Sequence, residues 1–142
     1  MSRSTANRAP LVLVVDDDLR TREMYAAWLV YSGLRAAVAP DSEEAIEKAK
    51  KLRPDLITTD IGVEGRGHVL QFCAKLKKSP RTRKIPVIAV TAWSMGDCVE
   101  KARQAGCDLV LIKPCLPETL LLEIQRLLKL PAIKPKPKPI GR

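Results

Sequence analysis

Short apolar runs alternate with amphipathic stretches along the chain, and their order predicts the fold. Leu11–Val15 is an unbroken apolar run, the composition of a strand buried on both faces of a parallel sheet. From Leu19 to Tyr31, Met24, Ala27, Trp28 and Tyr31 recur at helical spacing, and Gly33 follows where a helix C-terminus favours glycine. Leu34, Ala36 and Val38 alternate as a second strand. Asp41 with Glu44 reads as a capping arrangement for a helix whose stripe is Ala45, Ala49 and Leu52, ended by Pro54. Leu56–Thr59 predicts a third strand. A helix over about His68 to Lys78 follows, with Val69, Phe72, Cys73 and Leu76 on one side. Val87–Val90 predicts a fourth strand, Met95–Ala105 a helix closed by Gly106, and Leu109–Ile112 a fifth strand. The last helix starts at Pro117, suited to a first turn, with Leu120, Ile124, Leu127 and Leu128 as its stripe and Pro131 as its stop. Regular β/α alternation implies an α/β domain, a doubly wound parallel sheet with right-handed crossovers.

Composition narrows this picture without changing it. The 142 residues suit one domain, and 46% hydrophobic with 29% charged residues is ordinary for a globular protein. No run approaches the roughly 20 apolar residues of a membrane span. Met1 to Pro10 is polar and basic without an apolar stretch, so no secretory signal is read there and a cytoplasmic location is expected. Cys73, Cys98, Cys107 and Cys115 are scattered with a single histidine, His68, which suits buried or half-buried reduced thiols better than a zinc site. The net charge of +9 lies mostly at the ends. Arg3, Arg8, Lys134, Lys136, Lys138 and Arg142 carry six of those charges, and without them +3 remains. The Lys-Pro stretch from Lys134 to Pro139 favours extended polyproline II and has no aromatic residue on which a base could stack. These features predict a basic arm over residues 1–9, a folded domain over 10–130 and an extended tail over 131–142, and they argue against nucleic acid as a partner.

The chemistry lies at the strand ends, where ligands of open α/β sheets bind. Asp16, Asp17 and Asp18 follow the first strand, Asp60 the third, Thr91 the fourth, and Lys113 with Pro114 the fifth. Three or more carboxylates on one rim repel unless a cation sits among them, and oxygen ligands favour a hard ion such as Mg²⁺. Such an ion neutralises an anionic phosphodonor and leaves one carboxylate free to attack phosphorus. Lys113 and Thr91 are then suited to hold phosphoryl oxygens. Helix capping alone explains Asp18 and Asp41. It does not explain an acid pair, a further acid, a hydroxyl and a lysine at four strand ends.

Four stretches in order, LVLVVDDD (Leu11 to Asp18), PDLITTD (Pro54 to Asp60), IPVIAVTA (Ile85 to Ala92) and LIKP (Leu111 to Pro114), resemble the response-regulator receiver family over about residues 10–130. The resemblance implies a flavodoxin-like, five-stranded, three-layer (βα)5 fold and a two-component signalling role without turnover of an external substrate. It implies that Asp60 accepts a phosphoryl group from a sensor histidine kinase or phosphotransfer protein. Mg²⁺ would be held by Asp16, Asp17, Asp60 and the Gly62 carbonyl. Thr91 would bond the phosphoryl group and shift inward, and Lys113 would pair with it or with Asp60. A downstream protein would be contacted through the face from the fourth to the fifth helix, and a homodimer is left open.

Two stretches depart from the family. Residues 61–68 lack its Met-Pro turn and Asp-Gly and carry three glycines, and Val110 stands where an aromatic residue often couples the site to the output face. Trp93 is expected to overhang the site and slow hydrolysis of the phosphorylated aspartate. Two other readings compete: a receiver-like binding module that works without phosphorylation, and a haloacid-dehalogenase-type phosphohydrolase with Asp16 as nucleophile. The latter needs Thr or Val where Arg20 stands and a cap segment that the chain lacks.

Overall fold

The computed structural model describes residues 8–61, 66–91 and 98–131. Five strands, β1 (Leu11–Val15), β2 (Arg35–Ala39), β3 (Leu56–Ile61), β4 (Val87–Thr91) and β5 (Leu109–Ile112), form one sheet in the order β2-β1-β3-β4-β5. Every pairing is parallel. Helices α1 (Leu19–Tyr31), α2 (Ser42–Leu52), α3 (Arg66–Lys78), α4 (Cys98–Gln104) and α5 (Pro117–Leu128) alternate with the strands. This is the expected doubly wound, flavodoxin-like sheet.

Because strand side chains alternate between faces, the interior divides into two apolar clusters. Leu13, Val15, Ile57, Val87 and Ala89 meet Ala45 and Ala49 of α2, Phe72, Cys73 and Leu76 of α3, and Ala102 of α4. Val12, Val14, Leu56, Ile88 and Val90 meet Tyr25 and Leu29 of α1 and Leu120, Leu121 and Ile124 of α5. The apolar strands thus have a helix layer on each side. Chain order reverses between β1 and β3, so the carboxyl ends of those strands open the crevice where doubly wound folds bind ligands.

Local signals at the helix ends explain where the chain turns. Asp18 caps α1, its carboxylate accepting from the Thr21 amide at 3.0 Å and the Thr21 hydroxyl at 2.6 Å. Asp41 caps α2 by accepting from the Glu44 amide at 2.9 Å, as the sequence pattern implied. Gly33 stands at φ +99° just past α1, a conformation that an L side chain rarely adopts. Among the described residues no helix is long and apolar enough to cross a membrane.

The buried face of α1 differs from the expected stripe. Tyr25 and Leu29 are buried, whereas Met24 is 45% exposed and Ala27 faces solvent. The helix carries apolar residues all round, Leu19 and Val30 included, so its spacing fits more than one face. Leu52, expected on the α2 stripe, is 44% exposed at the last residue of the helix. β3 and β4 each run further than expected, which places Asp60 and Thr91 inside their strands, and α3 begins at Arg66. Expectations for residues 1–7, Trp93, Met95 to Asp97 and residues 132–142 lie outside the described residues. The α1 correction is directly testable by urea unfolding. Leu29→Ala is expected to cost about 2–5 kcal/mol, while Met24→Ala stays within about 0.5 kcal/mol of the parent.

Candidate phosphoacceptor site

Four of the five strand ends, those of β1, β3, β4 and β5, contribute to a single polar rim. Asp16 follows β1 directly, and its amide donates to the Ala39 carbonyl at the end of β2 at 3.1 Å, which extends the ladder to the first acid. Asp60 pairs in register with Val90, and the neighbouring Ile61 with Thr91. The Lys113 amide donates to the Thr91 carbonyl at 2.7 Å and so ties the residue after β5 to the end of β4. Backbone pairing, rather than side-chain attraction, sets this convergence.

Carboxylate oxygens of Asp16, Asp17 and Asp60 lie within 4.8 Å of one another. Asp16 is buried, Asp60 half-buried and Asp17 exposed. Burial pushes the Asp16 carboxyl up to about 6. The negative charges of Asp60 and Asp17 push the same way, against the Asp18 amide that donates to Asp16 at 2.9 Å and the charge of Lys113. Lys113 Nζ donates to Asp60 Oδ2 at 2.7 Å. The other oxygen, Asp60 Oδ1, is buried and has no hydrogen-bond partner among the described residues. A bare carboxylate oxygen beside two further carboxylates fits a hard divalent cation, which takes oxygen ligands and removes the repulsion.

The sequence reading therefore placed Asp16, Asp17, Asp60, Thr91 and Lys113 on one rim, and the structure brings them there. Gly62 lies outside the described residues, so its carbonyl is not located. Asp18 caps α1, the plain role assigned to it. His68 falls in α3, and Val110 is half-buried against the cluster under α2, α3 and α4.

Two supporting residues were missed. Arg22 Nη1 donates to the Asp16 carbonyl at 2.8 Å, holding the turn that presents the acid pair. The Tyr25 hydroxyl donates to the Cys115 carbonyl at 2.7 Å, fastening the segment after the cis Lys113–Pro114 bond to α1. Residues 22, 25 and 29 share one side of a helix at i, i+3 and i+7. That spacing is the sequence signal for this face, and it competes with the stripe through Met24.

The family profile for the response regulator receiver domain matches residues 12–125. This chain belongs to the response regulator receiver family. As a receiver it is 36% identical over 104 residues to the polar-differentiation response regulator DivK of Brucella anthropi, covering 72% of this chain and 83% of DivK. It is 32% identical over 118 residues to the phosphate regulon transcriptional regulatory protein PhoB of Klebsiella pneumoniae, covering 83% of the receiver. The match spans about half (51%) of the length of PhoB. The chemotaxis response regulator CheY4 of Vibrio cholerae superposes with a TM-score of 0.75 at 29% identity, over 84% of this chain and 98% of CheY4. The alternative assignment to the haloacid-dehalogenase phosphohydrolases is thereby set aside.

Tyr25 offers a pH test of the receiver's internal support. Burial pushes its hydroxyl up to about 12 from 10.0. The folded state therefore keeps the proton where the unfolded chain has lost it. This contribution is complete below pH 10.0 and is lost as pH rises towards about 12. Tyr25→Phe is expected to cost about 1 kcal/mol near neutral pH through the unpaired carbonyl. In urea titrations the variant should also show a smaller fall in stability across that alkaline window than the parent.

Proposed function

We propose that Asp60 is the phosphoacceptor of a two-component phosphorelay, phosphorylated by a sensor histidine kinase or phosphotransfer protein. The observation that carries this reading is the division of labour between the Asp60 oxygens. Oδ2 is held by Lys113 at 2.7 Å, and Oδ1 is buried without a partner next to the Asp16 and Asp17 carboxylates. In the proposed reaction an Asp60 oxygen attacks the phosphorus of a phosphohistidine, the P–N bond breaks, and the imidazole leaves with its electron pair.

Asp16 and Asp17, with Asp60 and the Gly62 carbonyl, would hold Mg²⁺. When bound, the ion supplies charge neutralisation for the incoming phosphoryl oxygens. Lys113 would exchange its Asp60 contact for a phosphoryl oxygen, and the Thr91 hydroxyl would donate to another. Thr91 sits at the end of a fully buried strand, paired with Ile61 of β3 and Ile112 of β5, so a shift of its side chain would have to be taken up by these neighbours. The face from α4 to α5 is on this reading the surface offered to a downstream protein. Residues 10–130 would form the receiver domain, flanked by a basic arm over 1–9 and a Lys-Pro tail over 131–142. The protein would act as a signalling module with no external substrate turned over.

Intact mass after incubation with Mg²⁺ and acetyl phosphate tests the assignment. One added phosphoryl group is expected in the parent chain and none in Asp60→Ala. Lys113→Met should slow acceptance on the order of 10²-fold, the scale of losing one donor to the reacting group. Labelling that persists in Asp60→Ala, or its absence from the parent, would sink the proposal and favour a binding module that works without phosphorylation.

A further inference from the structure

Two thiols far apart in sequence touch in the interior. Cys73 of α3 and Cys107, two residues ahead of β5, place their sulfurs 3.0 Å apart across a separation of 34 residues. Cys73 is 0% exposed and Cys107 5%, and both belong to the cluster built on Phe72, Leu76, Val87 and Ala102. Two features hold the chain around them. Gly106, at φ +117°, lets the loop lie directly against α3, since an added Cβ would meet the Lys77 Cγ at 2.6 Å. Lys77 Nζ donates to the Ile85 carbonyl at 3.0 Å and reaches Asp108 Oδ2 at 3.5 Å, and that carboxylate also accepts from the Val87 amide at 2.8 Å. The sulfurs are thus carried on segments already braced against each other, and a bond needs them about 1 Å closer.

We propose that Cys73 and Cys107 are a modification site: a peroxide oxidises them to an intramolecular disulfide that staples α3 to the start of β5. The Cys107 thiolate, the less buried of the two, attacks a peroxide oxygen and becomes a sulfenic acid as water leaves. The Cys73 sulfur then attacks the Cys107 sulfur and releases a second water. Two thiols are oxidised, one peroxide is reduced, and the chain loses two hydrogens. The contact between the sulfurs favours one thiolate: it pulls the Cys107 thiol down and, with burial, pushes the Cys73 thiol up. Cys115 is not a competitor, because it packs in the cluster beneath α1 and α5 on the opposite face of the sheet. Nothing here depends on Asp60 accepting phosphate.

The test is peptide mapping of the parent chain after brief hydrogen peroxide treatment, unfolding and alkylation. The expected result is a linked peptide pair joining Cys73 to Cys107, with Cys98 and Cys115 alkylated and the link removed by dithiothreitol. The oxidised protein should also unfold at a higher temperature than the reduced one, since the bond restricts the unfolded chain. Under the same treatment Cys73→Ala should stop at a Cys107 sulfenic acid, trapped by dimedone. A different pairing, full alkylation of both thiols in the oxidised parent, or a lower midpoint on oxidation would each overturn the proposal.

Discussion

Three carboxylates whose oxygens lie within 4.8 Å repel one another, and the rest of the molecule is arranged to keep them there. No part of this crowding is favourable by itself, since burial already pushes the Asp16 carboxyl up to about 6. It persists because the acids are fixed by backbone rather than by their own interactions. Asp16 continues the β1–β2 ladder, and Asp60 lies within β3, paired with Val90 of β4 one residue beyond the last β1 pairing at Thr59. Releasing the repulsion would mean breaking ladder bonds at the centre of a sheet with a helix layer on each face. Lys113 relieves part of the charge through Asp60 Oδ2, and its own backbone is fixed by the Thr91 carbonyl. The crowding is electrostatically unfavourable yet held in place by the sheet, an arrangement that suits a hard divalent cation.

The fold and the acid ring were readable because each rests on a local rule. Apolar runs of four or five residues bounded by Pro, Gly and Asp identify strands buried on both faces, and in such sheets the residue at the carboxyl end is where chemistry collects. The capping residues Asp18 and Asp41 were legible for the same reason, since the bonds they make span three residues. The face of α1 was not legible, because Leu19, Met24 and Val30 are apolar yet exposed and give the helix a second plausible stripe. Arg22 and Tyr25 were hidden by that error: their partners, the carbonyls of Asp16 and Cys115, are backbone atoms that no side-chain pattern marks. The contact of Cys73 with Cys107 was invisible for a different reason. It joins elements 34 residues apart, and only the packing of α3 against the loop before β5 creates it.

β5 links these observations physically. It is four residues long, with Cys107 two residues before it and Lys113 immediately after it. An extended strand neither stretches nor shortens by more than a fraction of its rise of about 3.3 Å per residue. Asp108 also bonds the Val87 amide at the start of β4, so the strand's lower end is fixed to its neighbour just as Lys113 fixes its upper end to Thr91. A constraint applied at Cys107 therefore bears on the register from which Lys113 reaches Asp60. Val110, half-buried in the middle of this strand, packs against the cluster under α2, α3 and α4. The short strand thus joins Lys113 at the rim to the packing of Cys107 against α3.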